Sequence, residues 1–188
     1  MSEFNEEVKE IAEEVVKKSW QKEALEWIFS ILIAVVLALV IRQLIFTVVR
    51  VDGLSMEPTL QHNDRLIVWR LGYKPENGDI IVLRKKDHPP YIKRVIANEG
   101  QTVDIDFEKH IVYVDGKAIE EDYIAEPTAL NGGMTFPVTV GENQVFVMGD
   151  NRNNSRDSRF IDVGCVDYSE IIGKAVWRFF PFNKIKVF

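Results

Sequence analysis

An apolar stretch near the start of the chain constrains the fold more than any other feature. From Ile28 to Ile41 only Ser30 is polar, and the apolar character continues to Val49 with three polar breaks. At a helical rise of about 1.5 Å per residue this stretch would extend roughly 33 Å, which is enough to cross the hydrocarbon core of a bilayer. We therefore predict one transmembrane helix over residues 27–49.

Two other interpretations of this stretch are weaker. A buried core helix of a soluble protein usually keeps a polar face, whereas the apolar residues here surround the helix axis. A cleavable secretory signal is the second alternative. It would begin with a short basic segment, whereas residues 1–26 are rich in Glu, and no small-x-small site precedes the polar part of the chain. Residues 1–26 are predicted to form a helical segment that leads into a retained anchor.

Beyond the apolar stretch the sequence changes to short β-branched segments separated by turn signals. An Asp115-Gly116 pair inside this region is a strong hairpin signal. The predicted strands are Asp64–Leu71, Ile80–Arg84, Tyr91–Ala97, Thr102–Phe107, His110–Val114, Lys117–Ile119, Gln144–Met148 and Lys174–Phe180. We therefore predict that residues 50–188 form a mainly β, antiparallel domain.

Charge and cysteine content exclude several classes of function. A net charge of −6 argues against a general nucleic-acid binder. Cys165 is the only cysteine, which excludes an intramolecular disulfide and a zinc site built from cysteines. The three histidines are scattered without ligand spacing, so we predict neither a metal nor a cofactor.

A serine follows the apolar stretch directly, in the segment GLSMEPTL at residues 53–60. A serine near Gly and Pro is usually a turn residue, and Ser55 becomes a nucleophile only with a base within hydrogen-bond reach. No histidine lies in a promising context. A lysine is the remaining candidate, provided that burial lowers its pKa from about 10.4 towards neutrality.

Lys93 is placed for such a role. On an extended strand it shares one face with Tyr91 and Val95, both largely apolar, so that its ammonium group can be desolvated. A lysine in the middle of a strand is otherwise more often a surface residue. A dense polar segment, GDNRNNSRDSR, occupies residues 149–159. It is compatible with two structures: a solvated loop, or a buried hydrogen-bond network behind an active site.

Four blocks in this order, GLSMEPTL, NGDIIVL, IKRVI and VFVMGDNRNNSRDSR, resemble the type I signal peptidases in their short Gram-positive form. The resemblance covers most of residues 28–180. It implies a domain of coiled antiparallel β-sheets outside the cytoplasm, with a smaller variable β insertion at about 101–147 and a cytoplasmic N-terminus. It thus supplies the orientation that basic residues on both sides of the anchor leave open.

The resemblance also implies roles for individual residues. Ser55 matches the nucleophile and Lys93 the general base. Some family members have a serine two residues before the nucleophile, whose hydroxyl is a second oxyanion donor. This chain has Gly53 there, so a backbone N–H or a water is expected instead.

The remaining matches lie in the polar block. Ser155 matches the hydroxyl that orients the lysine. Asp157 and Arg159 match a supporting ion pair, and Asp150 and Arg152 belong to the same block. These four charged residues and Ser155 are predicted to support the site rather than to react.

The function implied by the resemblance is that of a membrane-bound serine endopeptidase. It would remove N-terminal signal peptides from exported pre-proteins, cutting after small-x-small residues through an acyl-enzyme. The expected partners are pre-proteins and the lipid bilayer, without nucleic acid, and we expect a monomer. Six residue steps from Val49 to Ser55 cover at most roughly 20 Å, which keeps the nucleophile near the bilayer.

Two rival functions remain to be distinguished. A self-cleaving repressor shares the Ser-Lys chemistry but would have a DNA-binding domain in place of the anchor. A membrane-tethered β-domain that only binds partners would retain the motifs without activity. The aromatic segment WRFFPF at residues 177–182 is equally compatible with a bilayer-facing surface and with a core.

Overall fold

The computed structural model describes residues 2–84 and 89–188, and the chain divides into two compact units at residue 44. The first unit is one helix, α1 at Ser2–Leu44. Its part Lys22–Arg42 is long and apolar enough to cross a membrane. The described apolar side chains from Trp27 to Leu44 are exposed, which contradicts the alternative of a core helix buried within the protein.

The predicted helix is wrong in its last five residues. After α1 ends at Leu44, Phe46–Arg50 form strand β1, which pairs antiparallel with β2 at Arg65–Trp69. The segment FTVVR is rich in aromatic and β-branched residues, which pack well on a pleated sheet. Apolar content alone does not distinguish a strand from the continuation of an apolar helix.

The second unit is built on a large sheet of antiparallel strand pairs. In addition to β1 and β2 it contains β3 (Ile80–Leu83), β4 (Tyr91–Asn98), β9 (Gln144–Met148), β10 (Val166–Asp167), β11 (Ile171–Phe180) and β12 (Lys186–Val187). The strand order is β1-β2-β11-β3-β4-β9-β10, with β12 beside β11. Register shifts in β4 and β11 interrupt the ladders, and such bulges increase the twist that curls a sheet. The mainly β, coiled antiparallel fold is confirmed.

A smaller sheet lies between β4 and β9 in the chain. Its strands are β5 (Thr102–Asp106), β6 (Ile111–Val114), β7 (Lys117–Ala118) and β8 (Val138–Thr139), in the order β7-β6-β5-β8. The predicted insertion over 101–147 therefore extends too far. Val147 in β9 lies opposite Val95 in the large sheet, and β9 is buried from its second residue onwards.

The aromatic segment at the end of β11 keeps three of its large side chains out of the core. Trp177, Phe180 and Phe182 are exposed, while Ala175 and Arg178 in the same strand are buried. The bulges in β11 change which side chains face inwards, because an extra residue reverses the alternation along a strand. Of the two interpretations left open for this segment, the exposed surface is the one found.

Candidate active site

The segment that carries Ser55 is held by two buried side chains that follow the serine. Met56 and Leu60 are almost fully buried in the core below β1 and β2. Between them, the Leu60 N–H donates a hydrogen bond to the Met56 carbonyl, at 2.8 Å. The serine therefore stands half-buried at the start of a turn whose apolar residues are anchored in the core.

Strand β4 brings Lys93 to this serine. Lys93 Nζ lies 2.8 Å from Ser55 Oγ and 3.0 Å from the carbonyl oxygen of Ile92. The Lys93 side chain is only 4% exposed, and its ammonium group lies over the Tyr91 ring at 5.5 Å from the centroid. Ser55 and Lys93 lie 38 positions apart in the chain, and the fold places their side chains within one hydrogen bond.

Burial makes this lysine unusually acidic. Removal from water lowers the pKa of Lys93 from 10.5 to about 8, because a buried ammonium loses its hydration. The nearby carboxylates of Asp157 and Asp150 oppose this shift, and the Arg159 guanidinium adds to it. A neutral lysine is thus accessible near physiological pH, and its lone pair can accept the proton of the Ser55 hydroxyl.

The predicted ion pair lies in the polar block behind the lysine. Arg159 donates from Nε to Asp157 Oδ1 at 2.8 Å and from a terminal nitrogen to Oδ2 at 2.9 Å, and both side chains are fully buried. Asp157 Oδ2 also accepts the Gly149 N–H at 3.0 Å, and Arg159 donates to the Leu130 carbonyl at 3.0 Å. This bidentate pair is saturated with hydrogen bonds, as a buried ion pair requires.

Asp150 and Arg152 pair with other elements rather than with each other. Asp150 accepts two hydrogen bonds from the Arg94 guanidinium, at 2.8 and 2.7 Å. Arg152 forms an ion pair with Glu121 at 2.5 Å and donates to Thr128 Oγ1 at 2.9 Å. The two residues therefore tie the polar block to β4 and to the loop between β7 and β8 of the smaller sheet.

Ser155 lies close to the Ser55 segment, but it does not make the predicted contact with Lys93. Its hydroxyl is buried and has no hydrogen-bond partner among the described residues, and Lys93 Nζ bonds to Ser55 and Ile92 instead. A Cβ added to Gly149 would collide with both Ser155 Oγ and the Ser55 carbonyl oxygen. Gly149 therefore permits the close packing of the polar block against the nucleophile segment.

Two functional residues were missed by the reasoning from sequence. Asn151 donates from its backbone N–H to the Ser55 carbonyl at 3.0 Å and from Nδ2 to the Leu54 carbonyl at 3.1 Å, which holds the backbone at the nucleophile. Arg94 supports the block through Asp150. Their positions inside the GDNR and IKRVI blocks were the available signals, but their partners lie far away in the chain.

A cleft of about 240 Å³ opens beside the side chains of Ser55 and Lys93. Residues 51–56 line one wall and residues 90–93 another. Gly53, in the first wall, has a φ of +98°, a conformation that L side chains rarely adopt. The serine that some family members have at this position would therefore be strained on this backbone.

Comparison with known proteins adds an independent line of observation. The family model described as "Signal peptidase, peptidase S26" matches residues 24–180. The chain is 41% identical to signal peptidase I S of Bacillus subtilis over 186 residues, covering 93% of this chain and 97% of the relative. It is 42% identical to the probable signal peptidase I-1 of Synechocystis sp. over 171 residues, covering 82% and 81%. A crystal structure of a signal peptidase I from Enterococcus faecalis V583 is 29% identical, with a TM-score of 0.45 over 54% of this chain and 97% of the other.

Proposed function

This chain belongs to the type I signal peptidases of peptidase family S26, in the short Gram-positive form, and we propose that it cleaves exported pre-proteins through Ser55 and Lys93. The observation that carries the proposal is the 2.8 Å contact between Lys93 Nζ and Ser55 Oγ. A serine paired with a buried lysine of lowered pKa is an activated nucleophile with its base.

The proposed reaction is acyl transfer in two steps. Neutral Lys93 takes the hydroxyl proton while Ser55 Oγ attacks the scissile carbonyl carbon, and the Ser55 N–H stabilises the oxyanion. The C–N bond then breaks, and the Lys93 ammonium returns the proton to the leaving amine. In the second step Lys93 takes a proton from water while the water oxygen attacks the ester carbonyl carbon. The bond from that carbon to Ser55 Oγ then breaks, the Lys93 ammonium returns the proton to Oγ, and the signal peptide leaves with a free carboxyl terminus.

The polar block supports this chemistry from behind. We propose that the free hydroxyl of Ser155 orients the lysine through small side-chain rotations during the reaction. The buried Asp157–Arg159 pair, together with Asp150 and Arg152, keeps the block rigid against the nucleophile segment. Gly53 contributes backbone alone, so a backbone N–H or a water completes the oxyanion site.

We further propose that the protein is a monomer with a single membrane anchor, a cytoplasmic N-terminus and the β domain outside. The apolar span Lys22–Arg42 supports the anchor, and the exposed aromatic residues Trp177, Phe180 and Phe182 suit contact with the bilayer interface. Eleven residue steps from Leu44 to Ser55 span at most roughly 40 Å, which limits how far the nucleophile can lie from the end of the anchor helix.

Processing of a signal-bearing precursor by the full chain in lipid vesicles tests this function. We expect one cut, located by sequencing the new N-terminus, directly after a small-x-small sequence. Replacing the alanine before the cut with tryptophan should slow cleavage about 5- to 150-fold, because overpacking a well-packed pocket costs about 1–3 kcal/mol. The same replacement several residues into the mature part is the control. Equal cleavage of all three precursors would contradict the proposal.

The rate should depend on the ionisation of Lys93. The pKa of Lys93 is lowered to about 8, so the protonated, inactive form predominates below that pH. We expect kcat/KM to fall about tenfold per pH unit on acidification below pH 8 and to level off above it, since only neutral lysine acts as base. The measurement is kcat/KM on a precursor peptide between pH 6 and pH 10. A flat profile from pH 8 down to pH 6 would exclude a lysine base.

A further inference from the structure

A histidine outside the reacting pair contacts the wall of the cleft. The Gly53 N–H donates a hydrogen bond to His62 Nδ1, at 3.3 Å. His62 lies in the turn that precedes β2, whereas Gly53 lies between β1 and the nucleophile. The contact therefore joins the segment before Ser55 to the turn that follows it.

Backbone contacts hold this wall on both sides of Gly53. Before it, Val51 is paired with residues 63 and 64 through two backbone hydrogen bonds of 3.0 and 2.8 Å. After it, the Leu54 carbonyl accepts from Asn151 Nδ2 and from the Glu57 N–H. Gly53 itself is exposed and has a φ of +98°, where glycine moves easily among conformations. The hydrogen bond to His62 therefore restrains the backbone conformation of Gly53, the residue of the cleft wall with the greatest conformational freedom.

The hydrogen bond to Gly53 requires one particular protonation state and tautomer of the His62 ring. Nδ1 accepts the Gly53 N–H only when the ring is neutral with its proton on Nε2. The Asp52 carboxylate lies 3.5 Å from the same nitrogen and can accept from it only when Nδ1 carries a proton, in the Nδ1–H tautomer or in the protonated ring. One nitrogen thus has two mutually exclusive partners, and the hydrogen bond to Gly53 belongs to the neutral form.

We propose that neutral His62 is a positioning residue that holds the Gly53 backbone in the shape required beside the oxyanion of the Ser55 reaction. The inference rests on the proposed peptidase function. Gly53 lies two residues before the nucleophile and lines the cleft, so a shift of its peptide units changes the wall that the reacting carbonyl meets. His62 touches neither Ser55 nor Lys93 through a hydrogen bond, and it acts on the reaction through Gly53.

Two substitutions of His62 distinguish the effect of losing the hydrogen-bond acceptor from the effect of losing the aromatic ring. His62→Phe keeps the planar ring and removes the acceptor, whereas His62→Asn replaces the ring by an amide whose Oδ1 can accept from the Gly53 N–H. We expect His62→Phe to lower kcat on a precursor peptide about three- to tenfold with little change in KM, as expected for one lost hydrogen bond. His62→Asn should restore most of the rate. A ring that only packs would give the opposite order, with Phe active and Asn impaired, and that result would overturn the proposal.

Hydrogen–deuterium exchange of the full-length chain in detergent provides a readout that does not depend on activity. Amide exchange in a peptide covering residues 51–56 should accelerate in His62→Phe and return towards the wild-type rate in His62→Asn. Unchanged exchange in His62→Phe would overturn the proposal, even if the wild-type chain failed to cleave any precursor. Asp52→Asn is the matched control: a loss of rate equal to that of His62→Phe would assign the effect to the Asp52 pair and reject the role of Gly53.

Discussion

Replacing Lys93 with methionine is expected to slow precursor cleavage at least about 1,000-fold, because it removes the proposed base and leaves the Ser55 hydroxyl without activation. Methionine matches the length of the lysine stem in a site that is almost closed to solvent. Lys93→Arg should be equally inactive, since a guanidinium does not give up its proton at any working pH. Ser55→Ala should be inactive because the nucleophile itself is gone. The measurement is single-turnover cleavage of a precursor peptide.

The controls distinguish loss of chemistry from loss of folding. Burial lowers the pKa of Lys93, so the folded state disfavours its charge, and Lys93→Met is expected to raise rather than lower Tm at pH 7. Lys109→Met should leave the rate unchanged, because that lysine is exposed and pairs with Asp106, at 2.8 Å, away from the candidate site. The double variant Ser55→Ala, Lys93→Met should cleave no more slowly than either single variant. Two groups that act as one unit lose their whole effect when either is removed. Substantial cleavage by Lys93→Met with a normal Tm would refute the dyad.

Replacing Arg159 with methionine is expected to destabilise the protein by about 3–5 kcal/mol, because it leaves the fully buried Asp157 carboxylate without its countercharge. The loss also removes the hydrogen bond to the Leu130 carbonyl. The free energy of unfolding, measured by chemical denaturation of the chain in detergent micelles, checks this value. The rate of cleavage should fall as well, since the polar block, whose Asn151 N–H donates to the Ser55 carbonyl, would lose its support.

Arg156 offers a matched control three residues earlier in the same block. Its guanidinium pairs with Asp162 at 2.6 Å, but both side chains are more than half exposed. Arg156→Met should therefore change the free energy of unfolding by at most about 1 kcal/mol. The double variant Asp157→Leu, Arg159→Met should be less destabilised than Arg159→Met alone, because no unpaired charge remains. If Arg159→Met and Arg156→Met were equally stable, the buried pair would not support the fold as proposed.

Local sequence patterns predicted most of the strands. The segments around Lys93 and Gln144–Met148 alternate or are β-branched and form β4 and β9 with nearly the predicted bounds. Residues 46–49 of β1 were assigned to the transmembrane helix, because an apolar β-branched run next to an apolar helix carries no local boundary signal. The conformation of β1 depends on β2, which provides the hydrogen-bonding edge for the strand. The two-residue strands β8, β10 and β12 were missed for the same reason, since their residues form no pattern longer than the pairing itself.

The site was predicted unevenly. Ser55 and Lys93 were recognised from their blocks and from the face that Lys93 occupies on its strand, and the structure brings them together. The Asp157–Arg159 pair is present, whereas the predicted contact of Ser155 with the lysine is not among its hydrogen bonds. The contacts of Asn151 with the nucleophile segment were not foreseen, because they join residues almost one hundred positions apart.

The sequence by itself determined the kinds of groups present: an apolar span, a β-rich domain, a serine block, a lysine on an apolar strand face and a dense polar block. Each of these features can be recognised from the periodicity and composition of a short stretch of sequence. The tertiary structure alone decided where the apolar helix stops, which carboxylates neutralise which guanidinium groups, and that the lysine is buried deeply enough for its pKa to fall to about 8. Burial and pairing depend on neighbours from distant strands, so no local window contains them.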